Sequence, residues 1–166
     1  MEAIIWFLGS ALFVDLIGYL LHRWAHRPSS PLHRAHMTHH VENYPARSFF
    51  SKSYRTSGSD SLVLWFAPFG ILYVALVLLL GLPHPVAILL GGAATAVTSS
   101  IIHDLSHIKN SVVWRLPILK TMGRWHRIHH SKMNRNFGII LTFWDRIFRT
   151  SHPGSASRAK RRYQNR

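Results

Sequence analysis

The sequence predicts an all-α integral membrane helical bundle with about three transmembrane helices and a polar helical cap. Three observations predict it. Three apolar stretches have membrane length, the basic residues are segregated from them, and the histidines recur at helical spacing where the stretches end.

The first stretch, Ala3 to Leu21, carries a single charge, Asp15. Leu62 to Leu82 and Val86 to Ile102 carry none. A spanning helix needs roughly 20 predominantly apolar residues, with about 17 still workable. Only Pro83-His84-Pro85 separates the second stretch from the third. Two prolines break a helix there and predict a tight hairpin. The first stretch lacks a basic segment before it and a small-residue cleavage site after it, so it reads as a retained helix and not a signal peptide. Pro68 falls inside the second stretch and predicts a kink. Gly91-Gly92-Ala93-Ala94-Thr95-Ala96 in the third reads as a packing surface, because small residues let helix backbones approach closely in lipid.

Charge fixes the expected topology. The chain carries 20 Lys and Arg against 6 acids. Six of the basic residues lie between Arg23 and Arg55 and fourteen between Lys109 and Arg166, with none in residues 1–21 or in the hairpin. Three spans put both basic segments on one side, and the positive-inside rule makes that side cytoplasmic. A bacterial inner membrane and the endoplasmic reticulum fit equally. Residues 1–150 are expected to form the membrane-embedded domain and 151–166 a basic, disordered cytoplasmic tail. The net charge of +14 also raises nucleic-acid binding. The basic residues flank spans, which accounts for them, and no nucleic-acid module is visible, so no nucleic-acid partner is expected.

Cysteine is absent, which removes disulfides, thiolate metal sites and thiol nucleophiles together. Thirteen histidines remain to carry chemistry. Ten fall in four clusters: His22-x-x-x-His26, His36-x-x-His39-His40, His103-x-x-x-His107 and His126-x-x-His129-His130. Residues three and four apart share a helix face, so each cluster can aim two or three imidazoles at one point. His22 begins where the first span ends and His103 where the third ends. All ten can therefore converge at one depth just inside the boundary, and ten imidazoles suit two metal ions with about five ligands each. Solvated surface histidines would not explain that coincidence with the span ends. His33, His84 and His152 fall outside the pattern; His33 reads as a lining residue of the substrate entrance or a polar neighbour.

Asp15, Tyr19, His22 and His26 form one helical stripe, which places Asp15 to accept a hydrogen bond from a ligand imidazole or from water around it. Asp145 is expected to pair with a neighbouring Arg as a structural clamp. Imidazole suits Zn, Cu, Fe and Ni alike. A hydrolytic zinc site usually keeps a carboxylate base nearby, and none is obvious here. Redox iron is the better fit. A membrane metal carrier would need polar groups through the spans, and the second and third spans hold no charged residue or histidine.

The run from Trp125 to Ser131, then Asn136-Phe137-Gly138 and Trp144 to Thr150, resembles the C-terminal signature of the fatty acid hydroxylase/sterol desaturase superfamily. Asp15, Tyr19, His22-Arg23 and His26, followed by Leu32 to His40, resemble its N-terminal half. The resemblance covers roughly residues 12–150. It implies a helical membrane enzyme with a histidine-bound di-iron centre that uses O2 as co-substrate and electrons from a separate donor to hydroxylate or desaturate a lipid C–H bond. The ten clustered histidines become the ligands, and zinc is an expected occupant in a purified sample. The implied partners are the lipid substrate, membrane lipids and a donor of cytochrome b5, ferredoxin or reductase type. His33 stands where the family commonly has Trp. The family's Arg-x-His-Pro-x-Glu element appears as Arg55-Thr56-Ser57-Gly58-Ser59-Asp60, without its His and Pro. Phe13, Tyr19, Trp65 and Phe66 either line the lipid path or simply pack.

Overall fold

A computed structural model describes residues 1–55 and 62–153, with residues 62–66 as backbone only. The described residues are helical, without strands; a single parallel bridge joins Ser51 to Ile108. The helices are α1 (Glu2–Ala25), α2 (His33–Thr38), α3 (Leu62–Leu79), α4 (Pro85–Ser106), α5 (Pro117–Ser131) and α6 (Phe143–Ile147). The segment at 56–60 and the tail beyond Pro153 lie outside the described residues.

Among the described residues, α1 and α4 are long and apolar enough to cross a membrane. Only 17% and 22% of their most apolar windows are buried inside the structure, so the rest of each surface needs an apolar solvent. Ile4, Leu8, Leu12, Leu90 and Val97 all face outward. That exposure distinguishes them from core helices of a water-soluble fold. The third apolar helix, α3, is shorter and continuous through Pro68. After it the chain turns at Gly81, in the left-handed region (φ 58°), and at His84 (φ 54°) before Pro85 opens α4. The proline hairpin thus forms as expected.

The two spanning helices pack on each other through the small residues of α4. A Cβ on Gly91 would lie 2.3 Å from the Phe7 carbonyl oxygen, so only glycine permits the approach. Ser10 seals the same seam. Its hydroxyl donates to the Ile88 carbonyl at 2.5 Å and lies 2.6 Å from the Tyr73 hydroxyl of α3. This pairing brings the C-terminal ends of α1 and α4 together, where the histidine clusters begin. The cap (α2, α5, α6 and their loops) closes over those ends.

Candidate metal centre

α1 carries His22 in its last turn and has His26 as its C-cap; α4 carries His103 in its last turn and has His107 as its C-cap. α2 runs into a π-helical turn, His39–Asn43, and α5 carries His126, His129 and His130 on its buried face. One ring nitrogen each from His22, His26, His36, His40 and His129 lie within 4.8 Å of one another. The same holds for His39, His103, His107 and His126. His130 joins the second group at its edge, its Nε2 lying 3.2 Å from that of His126.

The clusters converge, but each H-x-x-H-H run is divided between the groups. Successive helical residues are turned by about 100°, so His39 and His40 diverge to either side of His36. His40 stays with His36, and His39 crosses to the histidines of α4. On α5, His126 joins the α4 group and His129 crosses to that of α1.

Proton bookkeeping shows what these rings are arranged to do. The Nε2 atoms of His26, His36, His40 and His129 form a closed cycle with edges of 2.7, 3.0, 3.2 and 3.0 Å. A neutral imidazole nitrogen carries either one proton or one lone pair. At most alternate members of such a cycle can donate, so only two of the four edges can be hydrogen bonds. His129 is already committed: its Nδ1 donates to the Arg135 carbonyl at 2.6 Å, which leaves a lone pair on Nε2. His22 donates from Nδ1 to the Phe137 carbonyl at 2.6 Å, and its buried Nε2 has no hydrogen-bond partner. In the second group, His107 and His130 donate to the carbonyls of Phe49 and Tyr44 and direct Nε2 at the single Nε2 of His126, from 3.0 and 3.2 Å. His103 donates to the Asp104 carboxylate at 3.0 Å.

Converging lone pairs repel unless a cation lies between them. Metal–nitrogen bonds of about 2.0–2.1 Å meeting at right angles put adjacent nitrogens about 2.9 Å apart. The observed edges bracket that spacing, so the residues fit a metal ion in each group. Electrostatics agree. Burial first, and neighbouring imidazoles second, push His36, His39, His40, His126 and His129 well below the ordinary histidine range. Burial takes His26 down to about 2 and His130 to about 3. These rings are neutral at physiological pH, the state a metal ligand requires.

A model of the fatty acid hydroxylase family matches residues 7–150, which include all ten histidines. The chain belongs to the fatty acid hydroxylase family. It is 29% identical over 157 residues to the ceramide very long chain fatty acid hydroxylase scs7 of Schizosaccharomyces pombe, covering 91% of this chain and 43% of that protein. It is 28% identical over 138 residues to the Delta(7)-sterol 5(6)-desaturase of Eremothecium gossypii, covering 82% of this chain and 34% of that protein. The chain thus spans less than half the length of either relative. No solved structure matches it significantly. Membership of this family and two helices long and apolar enough to cross a bilayer make it a membrane protein.

The remaining expected residues fall outside the nitrogen cages. Asp15 accepts from the indole N–H of Trp144 on α6 at 2.8 Å. Tyr19 is buried, bonded to Thr150 and stacked on Phe148, so it packs and does not line a path. Phe13 is half exposed beside Tyr73, and the side chains of Trp65 and Phe66 lie outside the described residues. Nδ1 of His33 donates to the Ala25 carbonyl, and His84 lies 3.4 Å from Glu2. Asp145 corrects the arginine expectation. It is fully buried and accepts from the N–H groups of Phe137 and Gly138, the Trp125 indole and the Thr150 hydroxyl. Sequence reasoning missed Asn136, which is buried in the left-handed region, and Tyr44, which stacks on His107 at 3.8 Å. The Asn-Phe-Gly run was the available signal for the first; nothing in the spacing signalled the second.

Proposed function

We propose that this chain hydroxylates a lipid C–H bond with O2 at a non-haem di-iron centre held by His22, His26, His36, His40 and His129 on one side and by His39, His103, His107, His126 and His130 on the other. The observation that carries the reading is the pair of all-imidazole cages with surplus lone pairs, placed where two lipid-facing helices end. When bound, the irons supply O2 activation and the one-electron chemistry needed to break an unactivated C–H bond. One oxygen atom enters the lipid; the other leaves as water, with two electrons from an external donor and two protons.

The chain's own residues do the rest. Burial keeps the rings neutral and excludes bulk water. The apolar outer faces of α1 and α4 bring the acyl, sterol or carotenoid-like substrate up from the bilayer. The basic segments that follow α1 and α4 support a cytoplasmic location for the centre by the positive-inside rule. A cleft of about 420 Å³ lined by Lys52, Arg55 and Lys109 suits an acidic electron donor by electrostatic steering. It adjoins the metal centre, because Ser51 on its wall donates its N–H to the His107 carbonyl at 2.9 Å.

Desaturation at the same centre is the second reading, favoured by the likeness to a sterol desaturase. Lipid analysis of a host expressing wild type against His129→Ala tests both. Gain of one oxygen in a lipid species marks hydroxylation and loss of two hydrogens marks desaturation. Purified, iron-loaded protein that changes no co-extracted lipid in the presence of O2 and a reductant would overturn the assignment.

A further inference from the structure

The segment Arg135–Gly138 is held from two sides. Toward the centre it offers two carbonyls, Arg135 to His129 and Phe137 to His22, each at 2.6 Å. Both rings belong to the group of His22, His26, His36, His40 and His129. Away from the centre, Asp145 grips the same backbone. Its Oδ1 accepts from the Phe137 N–H at 2.8 Å and its Oδ2 from the Gly138 N–H at 2.9 Å. The Thr150 hydroxyl (2.7 Å) and the Trp125 indole (2.9 Å) complete the set. Asn136 fixes the turn between them: its amide side chain brackets His152, donating to the carbonyl at 2.9 Å and accepting from the N–H at 2.6 Å.

The other group is braced by different parts of the chain. His107 and His130 lean on the carbonyls of Phe49 and Tyr44, and His103 on Asp104. No atom of 135–138 appears in those bonds. Although α5 carries rings of both groups, the acceptors that orient the two groups come from separate segments of the chain.

A ring that donates from Nδ1 holds its lone pair on Nε2, and the partner carbonyl sets both tautomer and tilt. We propose that Asp145 is the positioning residue for one metal position only. By pinning the Phe137 and Gly138 amides it fixes the carbonyls that orient His22 and His129. Its loss weakens the ion in the group of His22 and His129 and spares the other. This rests on reading both groups as metal positions.

A carboxylate is required because four donors converge on two oxygens. Asp145→Asn keeps the shape but turns an NH2 toward either the Phe137 amide or the Gly138 amide. The seat is tight as well: a Cβ on Gly138 would lie 3.0 Å from Asp145 Oδ2 and 2.9 Å from the Leu141 carbonyl. Gly138→Ala disturbs the same grip without touching the charge.

The test is Co(II) titration of the full chain in detergent, with bound metal counted per chain by elemental analysis and the fold followed by far-UV circular dichroism. Wild type is expected to take two ions. Asp145→Asn is expected to bind one ion as wild type does and the other about 10–100-fold more weakly. Asp104→Asn, on the other scaffold, should weaken the complementary ion, and the Asp145→Asn, Asp104→Asn double variant should weaken both. Two ions bound normally by Asp145→Asn, or both weakened together with helical content intact, would overturn the proposal. If Asp145→Asn does not fold, Gly138→Ala is read by the same criteria. Wild type binding no ion would overturn the metal reading itself, a failure distinct from normal two-ion binding by the variant.

Discussion

Replacing Gly91 by alanine tests the α1–α4 seam on which the metal centre is built. The new methyl would sit 2.3 Å from the Phe7 carbonyl oxygen, 3.0 Å from its carbon and 3.2 Å from its Cα. These are backbone atoms of a helix, so no side chain can rotate away. Ordinary contacts lie at about 3.5 Å, so the helices must part by roughly 1 Å. Overpacking of this kind costs about 1–3 kcal/mol. Close backbone approach is also what holds helices together in lipid, so the loss is not regained by apolar burial. Gly18 on α1 is the internal control, since a Cβ there meets nothing within 4 Å. Gly18→Ala should gain up to about 1 kcal/mol of helix propensity. At about 2–4 °C per kcal/mol for a chain of this size, Gly91→Ala lowers the thermal midpoint by about 2–12 °C and Gly18→Ala raises it slightly. Loss of helical circular dichroism on heating, in one detergent, reads both. A Gly91→Ala chain as stable as wild type, or a Gly18→Ala chain that is the more damaged, would refute the packing argument.

Acid should destabilise the metal-free protein. Burial holds His26, His130 and their neighbours neutral in the fold while the unfolded chain takes up protons near pH 6.5, so stability is lost as pH falls below 6.5, by about 1.4 kcal/mol per pH unit for each responding ring. Chelator-treated protein melted between pH 7.5 and 5 checks this, and a flat midpoint would contradict it. Trp144→Phe removes the indole that Asp15 accepts from inside the apolar span, leaving the carboxyl with the Leu141 backbone N–H, and should cost about 1–3 kcal/mol. Adding Asp15→Leu should recover part of that loss in thermal melts; full additivity would show that the pair does not interact.

Much of this architecture is written locally and was legible. Helical spacing fixes that His22 shares a face with His26 and His103 with His107, and those pairs do meet. The proline hairpin and the small-residue seam are equally local. What was hidden depends on segments returning from far along the chain. Asp15 lies on the same stripe as His22, but seven residues separate them, about 10 Å along the helix axis. At that depth the neighbour is Trp144, brought back 129 positions later by α6. Asp145 looked like an arginine partner because arginine is adjacent in sequence. Full burial favours N–H donors that carry no charge to desolvate, and the turn at Asn136 supplies two of them.

The division of the histidines has a consequence for how the fold closes. Each group takes the H-x-x-x-H pair of one spanning helix and one crossing histidine from the other half of the chain. His129 of α5 completes the group of α1, while His39 from the turn after α2 completes the group of α4. Residues 1–55 alone hold four of the five members of the first group, and residues 85–131 alone hold four of the five members of the second, His130 included. Neither cage closes until α1 and α4 have docked and α5 has folded across them. An ion bound in either cage therefore ties the two halves together, and its binding free energy adds to the stability of the closed form. The same crossing sets the cages side by side, because His39 and His40, adjacent in sequence, belong to different groups with ring centroids 5.4 Å apart. On the di-iron reading, splitting a single H-x-x-H-H run between the groups is what would set two metal positions within reach of one substrate.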